Sequence, residues 1–174
     1  DLQGTLKNHK VKHRPALSND VTAFAKLLRD IDQLDDTSQL YNKSILQLLA
    51  LTFVRIGDAC AMQWADIDLN AKQWHLEPQK GKGRGDMVNS IIIPLAPQAI
   101  AILERMQPLT SDQKYVFHNS RRKKAPYHHM QEVNKVLNSE LMNDGKGYKH
   151  IHSPHGFRAS AKTMLMERLG YDEL

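Results

Sequence analysis

The chain has 174 residues, 41% hydrophobic and 25% charged, with a formal net charge of +5. That size and mix suit one globular core and exclude a disordered or collagen-like chain. The single cysteine, Cys60, excludes an internal disulfide framework and a four-cysteine zinc ribbon and suits a reducing cytoplasm, while the apolar stretch from Ile45 to Val54 is too short to span a bilayer.

Residues 1–14 alternate polar and basic types, with Lys7, Lys10, Lys12 and Arg14 against Asp1, and have neither helical nor strand period. They read as a basic linker or arm, and residues 15–174 as the folded part. From the N-cap candidate Ser18, the apolar spacing of Val21, Phe24, Leu27, Leu28 and Ile31 predicts an amphipathic helix. A second helix is predicted from Thr37 or Ser38 to Thr52. Ile45, Leu46, Leu48, Leu49 and Leu51 make it apolar on most sides, so it belongs in the middle of the domain. Arg55-Ile56-Gly57-Asp58 interrupts the pattern, and a short helix resumes around Ala59 to Trp64.

Asp66 to Asn70 then enters β structure, with β-rich runs at Trp74 to Glu77 and Ser90 to Pro94 separated by Gly81, Gly83 and Gly85. The fold class is therefore mainly α with a small three-stranded antiparallel β-sheet. Pro97 opens a further helix, with Pro108 expected beyond its end. Another is expected from His129 to Met142, with Val133, Val136, Leu137 and Leu141 inward. Pro154 introduces a last helix from His155 to Leu169, which Gly170 would cap.

Several side chains are candidates for chemistry. Arg55 ends a buried helix, where a guanidinium needs either a partner such as Asp58, three residues on, or a ligand. His155 and Arg158 share one face at a helix start, a good arrangement for a phosphate and also compatible with an ordinary surface pair. Lys80, Lys82 and Arg84 occupy a glycine-rich hairpin turn, where a lysine could protonate a leaving oxygen or simply be solvated. Arg121, Arg122, Lys123 and Lys124 form an unbroken basic run. With residues 1–14 and the hairpin lysines, it suits a polyanion whose counterions are released on binding. His150, His152 and His155 superficially resemble a zinc-hydrolase ligand set. No Asp or Glu lies among them, however, and Pro154 breaks their geometry, so no metal site is assigned.

The order of these features narrows the choice. Leu51 to Asp68, with Arg55, an acid at plus three and the Trp64-Ala65-Asp66-Ile67-Asp68 entry into a sheet, resembles the first box of the tyrosine recombinase (phage integrase) family. The lysine-bearing hairpin closing in Ile91-Ile92-Ile93-Pro94-Leu95 and the later His155-Gly156-Phe157-Arg158 resemble the next two, in the manner of prophage and genomic-island integrases. The resemblance implies a site-specific recombinase that works on double-stranded DNA through a 3′-phosphotyrosyl intermediate, without cofactor, in a synaptic tetramer of protomers and with DNA-bending accessory proteins, in the cytoplasm.

Arg55 and Arg158 would clamp the scissile phosphate and His155 would assist. Lys82, or alternatively Lys80, would protonate the leaving 5′ oxygen, and Asp58 would hold Arg55. Lys80, Arg84, Arg121, Arg122, Lys123 and Lys124 would bind DNA. Phe53 stands where relatives commonly have glycine. Family members carry the nucleophilic tyrosine well downstream of the second arginine, whereas sixteen residues follow Arg158 here, Tyr171 among them. A catalytic domain truncated before its nucleophile is therefore expected, inactive in cleavage on its own. The remaining alternatives are a non-catalytic DNA-binding regulator of the same fold and a zinc-dependent hydrolase.

Overall fold

A computed structural model describes residues 15–78 and 90–170. Helix α1 (Val21–Asp32) begins two residues later than Ser18 predicts, because Asp20 is the N-cap and its carboxylate accepts from the Ala23 N–H at 2.8 Å. Helix α2 (Leu40–Thr52) starts after a turn in which Asp35 accepts from the backbone N–H and the hydroxyl of both Thr37 and Ser38; these bonds hold its carboxyl far below the usual range. Ser and Thr thus build the turn, and the helix begins only once their hydroxyls are spent.

As its composition predicts, α2 is the axis of the molecule. Ile45, Leu46, Leu48 and Leu49 are fully buried, and α2 packs on α1, on α3 (Ile56–Cys60), on α4 (Pro97–Thr110) and on α5 (Met130–Leu137). The cost of surrounding it includes one buried cation, Lys43, whose ammonium meets Asp36 at 2.9 Å and donates to the Leu34 carbonyl at 3.0 Å.

A 3-10 turn at Trp64–Asp66 leads into an antiparallel sheet in the order β1 (Ile67–Asp68), β2 (Gln73–Leu76), β3 (Ile91–Pro94), as the pattern predicts. Trp74 is buried opposite Ile67 and Ile93. Three expectations fail locally. The short helix α3 covers Ile56 to Cys60, taking in most of the stretch read as an interruption, and does not extend to Trp64. Pro108 lies inside α4 rather than beyond it. Its ring removes one donor only, two residues before the end and on a solvent-facing side, and the Thr110 hydroxyl secures the terminus by donating to the Val116 carbonyl at 2.8 Å. Helix α5 stops at Leu137 instead of Met142, so Leu141 is exposed and Met142 is buried in its place. The loop that follows is drawn to α1, where Asp30 accepts from the Asn143 N–H at 3.1 Å and the Tyr148 hydroxyl at 2.6 Å. The last helix, α6 (Gly156–Leu169), ends at Gly170 in the left-handed region.

Candidate active site

Arg55 owes its place to an unusual turn. Helix α2 ends at Phe53, whose backbone is left-handed (φ 54°) while its N–H still bonds the Leu49 carbonyl at 3.0 Å. The turn redirects the chain so that Arg55, in extended conformation, becomes the N-cap of α3, its side chain half-buried, with Asp58 buried in the first turn. A left-handed non-glycine residue costs about 1–2 kcal/mol, a cost that glycine would not carry at this position. Phe53→Gly is accordingly expected to raise unfolding stability by about 1 kcal/mol, read as a higher urea midpoint; a lower midpoint would mean that the half-buried ring contributes more than the backbone loses.

His155 and Arg158 come from the start of α6. Pro154 and Phe157 are buried and anchor the turn, Gly156 N–H donates to the Ser153 carbonyl at 2.7 Å, and both His155 and Arg158 are left exposed. Phe157 lies edge-on to Phe24 and His152, with ring centroids 6.1 and 4.6 Å away. Across 103 residues of sequence, Arg158 then reaches the turn that carries Arg55, and its Nη1 donates to the Phe53 carbonyl at 2.6 Å. Although the residue as a whole is exposed, partial desolvation of its guanidinium, and after it the Arg55 charge, pushes Arg158 below its usual range, while Asp58 acts in the opposite direction. Two cations that repel each other, held together at the positive end of a helix, form an arrangement that an anion stabilises.

The other predicted residues are distributed as follows. Lys80, Lys82 and Arg84 lie outside the described residues, as do residues 1–14 and Tyr171. Arg121, Lys123 and Lys124 are exposed. Arg122 is half-buried, donates to the Tyr127 carbonyl at 3.0 Å and sits 5.5 Å over the Tyr127 ring. Its charge is felt at the Cys60 thiol, which burial pushes up to about 12, too high for a nucleophile at neutral pH. Among the described residues no three His, Cys, Asp or Glu side chains converge on a point where a metal could be held. A groove of about 460 Å³ between α1, α2 and α4, lined by Leu28, Ile31, Leu51, Ile102 and Arg105, includes neither Arg55 nor Arg158.

His152 is the residue whose part the sequence did not reveal. It is buried, its Nδ1 accepts from the Leu17 N–H at 3.1 Å, and burial pushes its pKa down to about 4. An imidazole that titrates near 6.5 in the unfolded chain and near 4 in the fold binds its proton more readily unfolded. Its contribution is complete above about pH 6.5 and is lost as pH falls towards 4. Stability is therefore expected to fall by about 2 kcal/mol from this group alone between pH 7 and pH 4.5. Urea titrations of wild type and His152→Asn at both pH values check this; an unchanged pH slope in the variant would assign the loss elsewhere.

Comparison with known proteins bears on the family and the fold. Putative protein IntB of Escherichia coli (strain K12) is 27% identical over 178 residues, covering 96% of this chain and 42% of that protein. Prophage integrase IntA of the same organism is 30% identical over 117 residues, covering 67% of this chain and 26% of that protein. The chain thus spans less than half the length of these curated relatives. Among solved structures, XerH site-specific recombinase in a post-cleavage complex with a palindromic difH substrate superposes with a TM-score of 0.67 at 17% identity, over 96% of this chain and 46% of that one. A lambda integrase dimer bound to a COC′ core site gives 0.61 at 17% identity, over 95% and 44%. The likeness in fold places the arginine turn and α6 in a known architecture, and the match of residues 19–172 to the phage integrase family settles the kinship: the chain belongs to that family, the tyrosine recombinases of phages and prophages.

Proposed function

We propose that this domain grips the scissile phosphodiester of double-stranded DNA and, within the whole protein, breaks and rejoins DNA at specific sites. The observation that carries the reading is the convergence of Arg55 and Arg158, whose like charges are brought together by the Arg158 bond to the Phe53 carbonyl. Two guanidinium forks on the non-bridging oxygens neutralise the charge that builds up on phosphorus as a fifth oxygen approaches. A tyrosine hydroxyl, which the family places downstream of Arg158, attacks phosphorus. Its proton leaves, the P–O5′ bond breaks, and the 5′ oxygen takes a proton from Lys82 or, failing that, Lys80. His155 donates a hydrogen bond to the phosphate or relays the tyrosine proton. Attack of a 5′ hydroxyl on the 3′-phosphotyrosyl link reverses the step on a new strand, so the bond energy is conserved and no cofactor is consumed.

Lys80, Arg84, Arg121, Lys123 and Lys124 would hold the flanking phosphates, and Arg122 joins them only if it leaves Tyr127. Asp58, buried in the first turn of α3, holds Arg55. Residues 1–14 serve as the linker to a preceding domain. The working assembly is a synaptic tetramer, the form in which lambda integrase is seen on a Holliday junction, with accessory proteins bending the DNA. A cytoplasmic setting fits a protein that acts on DNA, and no helix among the described residues is long and apolar enough to cross a membrane.

The test uses Arg55→Ala in the full-length protein on a nicked suicide duplex. Lost covalent product with retained DNA binding supports the recombinase; unaltered biological function in the variant supports the regulator of the same fold. The 174-residue chain alone is expected to bind duplex DNA and leave it uncut, so a covalent adduct from it would overturn the placement of the nucleophile downstream.

A further inference from the structure

His152 joins two parts of the chain that lie far apart in sequence. Its Nδ1 accepts from the Leu17 N–H at 3.1 Å, and the next residue, Ser153, donates to the Pro15 carbonyl from its N–H at 3.1 Å and from its hydroxyl at 3.2 Å. Gly156, the first residue of α6, is pressed into the same contact: a Cβ there would lie 2.8 Å from the Pro15 oxygen and 2.9 Å from His152 Cε1. The imidazole ring stands edge-on to Phe157, which is fully buried and immediately precedes Arg158.

The choice of side chain is informative. Because Nδ1 accepts, the ring proton of the neutral form sits on Nε2, which is buried and has no partner among the described residues. An unpaired buried donor is destabilising. A phenylalanine would fill the space without it, in a site already lined by Phe24 and Phe157. What histidine adds and phenylalanine cannot is the acceptor for Leu17. Its low pKa keeps that acceptor free of a proton at neutral pH.

We propose that His152 is a positioning residue, clamping the entering segment Pro15 to Leu17 onto the turn that launches α6 and so setting the placement of His155 and Arg158 against the DNA phosphate. This rests on the phosphate-binding reading of Arg55 and Arg158 and extends it to a residue that never touches DNA. The segment that leads into the domain is thereby tied to half of the phosphate site, and a displacement of either is felt by the other.

The test compares His152→Asn, whose side-chain oxygen can accept near the Nδ1 position, with His152→Phe, which keeps the ring and loses the acceptor. Suicide-duplex cleavage by the full-length protein is measured at saturating DNA, alongside the binding constant. His152→Phe is expected to slow cleavage by about 10–100-fold, since small misplacements of reacting groups cost that much, with DNA affinity changed less than about 3-fold; His152→Asn is expected to stay within about 3-fold of wild type. The reverse order, or equal loss in both, overturns the clamp in favour of packing alone. Arg55→Ala runs alongside: if it cleaves like wild type, the phosphate reading fails, whereas an inactive Arg55→Ala beside a fully active His152→Phe refutes the clamp only. Should either His152 variant fail to fold, imidazole 15N shifts of the wild-type 174-residue chain decide. The clamp requires an unprotonated Nδ1 and a protonated Nε2, and the opposite tautomer rules it out.

Discussion

Arg158→Ala in the full-length protein is expected to lower suicide-substrate cleavage by about 10²–10³-fold, the usual consequence of losing one preorganised donor to a developing oxyanion. Stability should change by no more than about 1 kcal/mol. Two effects oppose each other in the resting fold: the variant loses the bond to the Phe53 carbonyl, and it also removes a cation that Arg55 repels. Without DNA these nearly cancel; with a phosphate between the two arginines they do not, because the repulsion becomes joint attraction. Arg158→Lys separates charge from geometry. The ammonium keeps the charge and lacks the planar fork that addresses two oxygens, so cleavage is expected to remain at least about 10-fold below wild type. The pair is checked by single-turnover cleavage beside urea unfolding. A variant that cleaves normally, or one that loses activity only by unfolding, would remove Arg158 from the chemistry.

Gly156→Ala is expected to be the more damaging change to the fold, at about 1–3 kcal/mol, although alanine ordinarily favours a helix. The new methyl group would lie 2.8 Å from the Pro15 carbonyl oxygen and 2.9 Å from His152 Cε1. The ring is held between Phe24 and Phe157, and the Pro15 oxygen already accepts from Ser153. Neither neighbour yields without giving up a hydrogen bond or a ring contact. The urea midpoint should fall, and amide exchange at Leu17 should speed up more than at Ile45 in the centre of α2. An unchanged midpoint would mean that the entering segment shifts freely, and the glycine would then be explained by local backbone alone.

Much of this was legible in the chain. The all-round apolarity of α2 marked it as the axis, and the order of the arginine turn, the hairpin and His155 to Arg158 marked the family, because periodicity and spacing are properties of sequence. What stayed hidden depends on contacts between distant residues. Phe53 read as a departure from glycine; only the fold shows that its left-handed carbonyl receives Arg158. His152 read as one of three candidate metal ligands, since a run of histidines looks the same whether its nitrogens face an ion or a backbone N–H. Leu141 was assigned to a helix that Asn138 ends, with its side chain donating to the Asn134 carbonyl at 2.9 Å. Pro108 read as a stop signal because its cost was judged for a helix interior, whereas it stands where a single donor is lost.

The closure between Pro15 and Ser153 also bears on how the protein is born. Arg55 is synthesised 103 residues before its partner arginine, which stands on α6 just after the Ser153 contact that makes the closure. A long loop must be shut before these contacts are rewarded, which makes them late events in folding. During translation the ribosome therefore exposes Arg55 before its partner exists, and the two arginines meet only once the segment containing α6 has emerged and docked.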